Sequence, residues 1–175
     1  MKKQNLLLIM LMLGVIIFNS CEEGLNVNVN TTFKKNITTD IKADLKSGNT
    51  LSNIPFYNVD TLDITDNEKV KENIDRFKEL KISKINCKLT GIPENESITE
   101  LNIVIPEALI TVTLNNISEN NNTILLDITP ELLNALATFL YANNRVAIQV
   151  NGFSTYAPMQ LGVELSFEST IVTEI

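Results

Sequence analysis

Leu25-Asn26-Val27-Asn28-Val29-Asn30-Thr31-Thr32-Phe33 is the stretch that decides the fold. Apolar or β-branched residues at the odd positions alternate with asparagine and threonine at the even ones. This period of two suits a strand with one face buried and one face in water. A helix would scatter the same residues around its circumference.

The alternation recurs downstream. Ile37, Thr39, Ile41, Ala43 and Leu45 repeat it after Lys34-Lys35-Asn36, which reads as a turn or a bend. Ser47-Gly48-Asn49-Thr50 reads as a loop. Residues 54–64 form a further strand, with Pro55 near its start, where a missing donor is tolerated. Leu80 to Leu89, Ile98 to Ile105, Leu109 to Leu114 and Thr123 to Ile128 follow as strands. The asparagine-rich run from Asn115 to Asn122 makes an exposed turn. Val146, Ile148 and Val150 mark another strand, Asn151 to Pro158 a loop, and Met159 to Phe167 a last strand reaching toward Ile171.

Two segments break the pattern. Thr65-Asp66-Asn67-Glu68 resembles a capping box, and Val70, Ile74 and Phe77 then fall at helical spacing, which predicts a helix over 66–78. Thr129-Pro130-Glu131 opens a second helix, with threonine as cap and proline at the first helical position. Leu132, Leu133, Leu136, Phe139 and Leu140 give it an apolar face, and Asn143-Asn144 ends it. Many strands of similar length with two short helices predict a mainly β fold, an antiparallel β-sandwich. A two-layer α+β arrangement is the alternative.

Composition narrows the chemistry. The chain has 175 residues, a net charge of −7, and neither histidine nor tryptophan. An acidic chain lacks the clustered Lys and Arg that phosphate backbones require, so nucleic acid is not an expected partner. Without histidine, Ser-His-Asp and Cys-His catalysis and histidine-type zinc sites are excluded. Cys87 shares a strand face with Ile85 and Leu89 and reads as a small buried hydrophobe. Asn58, Asp60, Asp63, Asp66 and Glu68 cluster at one junction, but apolar residues interleave them and no glycine allows an EF-hand turn. They read as solvated strand and cap residues. No metal, no cofactor, no catalytic residue and no enzyme is expected.

The leader adds an address. Lys2 and Lys3 precede an apolar run from Leu6 to Phe18, too short to span a bilayer, followed by Asn19-Ser20-Cys21-Glu22-Glu23. This segment resembles a bacterial lipobox, with residues 1–20 as signal peptide, Cys21 as the lipid attachment point and residues 21–24 as a short tether to a single domain over 25–175. Glu22-Glu23 resembles the acidic surface-export signal of Bacteroidetes. Asp60-Thr61-Leu62 is similar to the O-glycosylation acceptor of that group, with Thr61 as the modified residue. The lipobox, the alternating strands and a capped helix before Leu80-Lys81-Ile82-Ser83-Lys84-Ile85 together resemble small uncharacterised lipoproteins of Flavobacteria and other Bacteroidetes. That resemblance implies an outer-membrane lipoprotein, facing the cell surface or the periplasm and held to the membrane by its N-terminal lipid.

The leading functional expectation is therefore a lipid-anchored, non-enzymatic binding or accessory module. Its ligand contacts would come from the loop carrying Phe153 and Tyr156, against a glycan or an envelope protein. The alternative is a structural subunit of an envelope assembly that pairs through a sheet edge. A carboxylate-dependent glycoside hydrolase is third.

Overall fold

The computed structural model describes residues 25–42 and 53–174. Eight strands run through the described residues: β1 (Asn26–Ile41), β2 (Ile54–Asp63), β3 (Phe77–Thr90), β4 (Ile98–Ile105), β5 (Ile110–Ile117), β6 (Thr123–Leu125), β7 (Arg145–Ser154) and β8 (Met159–Glu174). Two helices interrupt them, α1 (Glu68–Asn73) and α2 (Pro130–Asn143). The strands form two four-stranded sheets in the orders β1-β8-β3-β6 and β2-β7-β4-β5. Every pairing is antiparallel. This interleaved order is the jelly roll, two Greek keys wound into a sandwich. The expected sandwich with two short helices is what forms, and the two-layer α+β alternative is not.

The alternation read from residues 25–33 extends through all sixteen residues of β1, which pairs with β8 from Asn26–Glu174 to Ile41–Met159. Lys34, Lys35 and Asn36 therefore make no turn. They sit opposite Ser166, Leu165 and Glu164. Phe33, Ile37 and Ile41 face inward from β1, and Leu161, Val163, Leu165 and Phe167 from β8. They meet Phe56, Leu62, Leu101, Ile103, Ile148 and Val150 of the other sheet in one continuous core.

The first predicted helix is shorter than its apolar spacing suggests. A 3₁₀ turn (Ile64–Asp66), α1 and a second 3₁₀ turn (Ile74–Arg76) replace it, and β3 begins at Phe77. The Thr65–Glu68 capping box does not form. Thr65 is held by Asp63, whose Oδ1 accepts from the Thr65 amide at 2.9 Å and from its hydroxyl at 2.6 Å. Asn67 caps α1 instead, accepting from the Lys69 amide at 3.0 Å. Helix α2 matches the expected bounds, with Pro130 in its first turn and Asn144 closing it at φ 63°. Its buried face of Leu133, Leu136, Ala137 and Leu140 packs on β3, β7 and the Pro106–Ala108 turn. Strand β6 stops at Leu125, three residues before the expected end.

Candidate functional site

The two sheets leave two flanks where their outermost strands face each other, β1 with β2 on one side and β5 with β6 on the other. An outermost strand exposes a row of unpaired amides and carbonyls, which proteins blunt with charges, prolines or covering groups. The two flanks of this molecule are treated in opposite ways.

Polar side chains close the β1–β2 flank. Lys35 points inward from β1 and reaches Asp60 of β2, with Nζ 2.7 Å from Oδ2. Three donors cap carbonyls along β1: Lys69 Nζ on Asn30 at 2.6 Å, Asn67 Nδ2 on Thr32 at 3.3 Å, and Asn58 Nδ2 on Thr38 at 2.7 Å. On β2, the Val59 amide donates to Asn58 Oδ1 at 2.8 Å and the Thr61 amide to Asp60 Oδ1 at 2.7 Å. Burial against β1 pushes the Asp60 carboxyl up. The Lys35 hydrogen bond, the Thr61 amide and the Lys35 charge outweigh it and leave the group below its ordinary value. Asp63, at the end of β2, is also lowered. The Thr65 hydroxyl is the main cause, burial opposes it, and the Thr65 amide and Arg145 add to it.

Over Thr111 to Asn115 the β5–β6 flank has no such covering among the described residues. Strand β5 is hydrogen-bonded along one side to β4, and its other side is the rim of the sheet. Its sequence, Ile-Thr-Val-Thr-Leu-Asn-Asn-Ile, holds no charge, no proline and no glycine. Thr111, Thr113 and Asn115 are exposed on the outer face, while Val112 and Leu114 lie half-buried against the core margin. Ile124 of β6 is half-buried against the core, and Leu125 is 60% exposed. The flank is thus an uncharged, β-branched rim with apolar residues behind it.

Two residues with left-handed backbone bracket this rim. Leu109 (φ 55°) follows the Pro106–Ala108 turn, and Asn116 (φ 54°) ends the extended run. Beyond it Asn121 folds the asparagine-rich turn, accepting from the Ser118 amide and donating to the Asn116 carbonyl at 3.1 Å. On the outer face Thr113 donates to Asn102 Oδ1 at 2.6 Å, and Asn102 Nδ2 donates to Glu100 at 2.7 Å and to Asn151 at 3.3 Å. A polar ladder therefore holds β5 to β4 and β7 while its far side stays free.

Other sequence-derived candidates fall in different places. Phe153 is not in a loop. Strand β7 continues to Ser154 because Phe153 pairs with Pro55 on one side and Glu100 on the other. Tyr156 lies in the loop that follows, its amide donating to Ser154 Oγ at 3.1 Å. The ring contact found among the described residues joins Phe77 and Tyr141, with centroids 5.1 Å apart, and not Phe153 and Tyr156. Thr61 is exposed on β2, opposite Ala147. Cys21, Glu22 and Glu23 lie outside the described residues.

Cys87 is the free cysteine among the described residues. No group of three His, Cys, Asp or Glu side chains is arranged to hold a metal among them. Burial pushes the Cys87 thiol up to about 12, which leaves it protonated and inert at neutral pH. An open depression of about 500 Å³ is lined by Asn30, Lys69, Ser83 and Glu168, among others. Its polar groups are already committed: Lys69 to the Asn30 carbonyl, Ser83 to the Glu168 carbonyl, and Glu168 to Lys84 at 3.1 Å.

No family model and no curated relative matches the chain. Solved structures that are similar to it include two capsid proteins and a virus. A decameric BFDV capsid protein shares 12% identity over 83% of this chain and 99% of that chain, with a TM-score of 0.48. A 60-mer BFDV capsid protein shares 10% over 86% and 95%, with a TM-score of 0.42. The mud crab tombus-like virus structure shares 6% over 87% and 82%, with a TM-score of 0.43.

These findings correct the expectation drawn from the leader. None of these structures is a Bacteroidetes lipoprotein, which goes against the family, the binding-module role and the outer-membrane address expected above, and at 6–12% identity the likeness itself is one of fold. The physical reason is plain. The address was read from residues 1–23 and the family from the lipobox, the alternating strands and a capped helix, and alternation is what any jelly roll displays.

Proposed function

We propose that this chain is a structural subunit that joins other chains by strand pairing along β5. The single observation that carries this reading is the asymmetry of the two flanks. Side chains blunt β1 and β2, while β5 presents an uncharged run of β-branched and amide residues with free hydrogen-bonding groups. Such an edge is a template for an added strand, with backbone hydrogen bonds giving affinity and alternate side chains giving specificity. The jelly roll itself is neutral on function, since it serves capsid, lectin and cupin domains alike. The test is a photo-crosslinking residue at Thr111 or at Asn36 of β1, in the full chain, in cells that make it. Discrete higher-mass species should form from the first position and not from the second. Their absence at Thr111 would overturn assembly at this edge.

A further inference from the structure

Resting on the assembly reading above, we infer that the strand added to β5 is β5 of a second copy of this chain, antiparallel about a twofold axis through Thr113. The charge pattern favours a second copy. The chain carries a net charge of −7, so its copies repel one another. That repulsion is least where the contact surface is uncharged, and Ile110–Ile117 has no charge. The outer face of the opposite sheet, in contrast, carries Lys34, Lys84, Glu164 and Glu168 in ion pairs of its own. A twofold contact is also self-complementary, so one strand supplies both sides of the interface.

Geometry then fixes the register. A twofold axis perpendicular to the sheet keeps each side chain on its own face. Directly opposed residues must therefore share a face, and side chains alternate with a period of two. A residue can lie opposite its own copy, but never opposite the copy of its chain neighbour. The left-handed Leu109 and Asn116 limit the extended run, and Ile110 is already buried, which leaves Thr111 to Asn115 at the rim. The centre of that stretch is Thr113. Thr113 then faces its own copy, Thr111 faces Asn115 of the other copy, and Val112 faces Leu114. The two half-buried apolar residues extend each core across the axis, and the sheets merge into one of eight strands.

The test uses the purified full chain, with mass followed against concentration by sedimentation. The wild-type chain should dimerise reversibly. T111K/N115K places like charges opposite each other twice and should weaken the dimer by about tenfold or more. T111K/N115E places opposite charges there and should restore it, with thermal melts confirming that both variants fold. A chain that is monomeric at every concentration would overturn self-pairing while leaving crosslinks to a different chain as support for the assembly reading. A dimer indifferent to T111K/N115K would overturn the β5 edge itself. Equal weakening by both pairs would overturn the register centred on Thr113.

Discussion

Lys35 Nζ lies 2.7 Å from Asp60 Oδ2, joining the outermost strand of one sheet to the outermost strand of the other. The pair works with Asn58, whose amide reaches the Thr38 carbonyl at 2.7 Å, to shut one flank of the sandwich. Nothing comparable ties β5 to β6 among the described residues. The molecule thus has one flank made unavailable to other strands and one left available.

The clasp gives a pH dependence with a definite sign. Asp60 and Asp63 both titrate below their ordinary value in the folded chain. Their contribution to stability is therefore fully present above the unfolded value, near ~3.9, and is lost as pH falls through the lower folded values. The Asp60 side chain is 43% exposed, so D60N at neutral pH should cost no more than about 1 kcal/mol. Thermal melts from neutral to strongly acidic pH should show a shallower acid loss for D60N than for the wild-type chain. Superimposable pH profiles would remove the clasp as a source of stability.

The core predicts larger effects. Phe167 and Leu136 are both 0% exposed, one at the centre of β8 and one on the inner face of α2. F167A should destabilise the domain by about 3–5 kcal/mol and L136A by about 2–5 kcal/mol, through lost transfer energy and the cavity left behind. Denaturant titration of each variant measures this. Midpoints unchanged from wild type would mean that these side chains are not packed as described.

The chemistry of the leader can be examined apart from the fold. We propose acylation of Cys21, on the basis of the apolar run and the Ser20-Cys21 junction alone. Intact-mass analysis of the mature chain should find Cys21 as the new N-terminus carrying a diacylglyceryl group. A chain that keeps residues 1–20, or one with a free thiol at Cys21, would remove that proposal.

Much of this architecture was legible in the sequence. The alternation at 25–33 and 159–167 placed the two longest strands, and Thr129-Pro130 with Asn143-Asn144 bounded α2. The misreadings share a cause, which is that distant partners override local preference. Lys34-Lys35-Asn36 looks like a turn because it is polar, yet Lys35 can face inward because Asp60 meets it there. Thr65 looks like a helix cap, but Asp63 engages it first. Phe153 looks like a loop residue until pairing with both Pro55 and Glu100 holds it in a strand. The candidate site was half visible. The lack of charge in 110–117 is a sequence fact, but that β5 lies at a rim follows only from the strand order.

Hydrogen exchange along residues 110–117 of the full chain, measured at low and high protein concentration, tests the assembly edge most directly. If β5 is the edge through which the chain assembles, its amides gain protection as concentration rises, while those of β1 and β2 do not change. Protection that appears on β1 and β2 instead, or an assembled sample in which β5 exchanges as fast as in the dilute one, would contradict it.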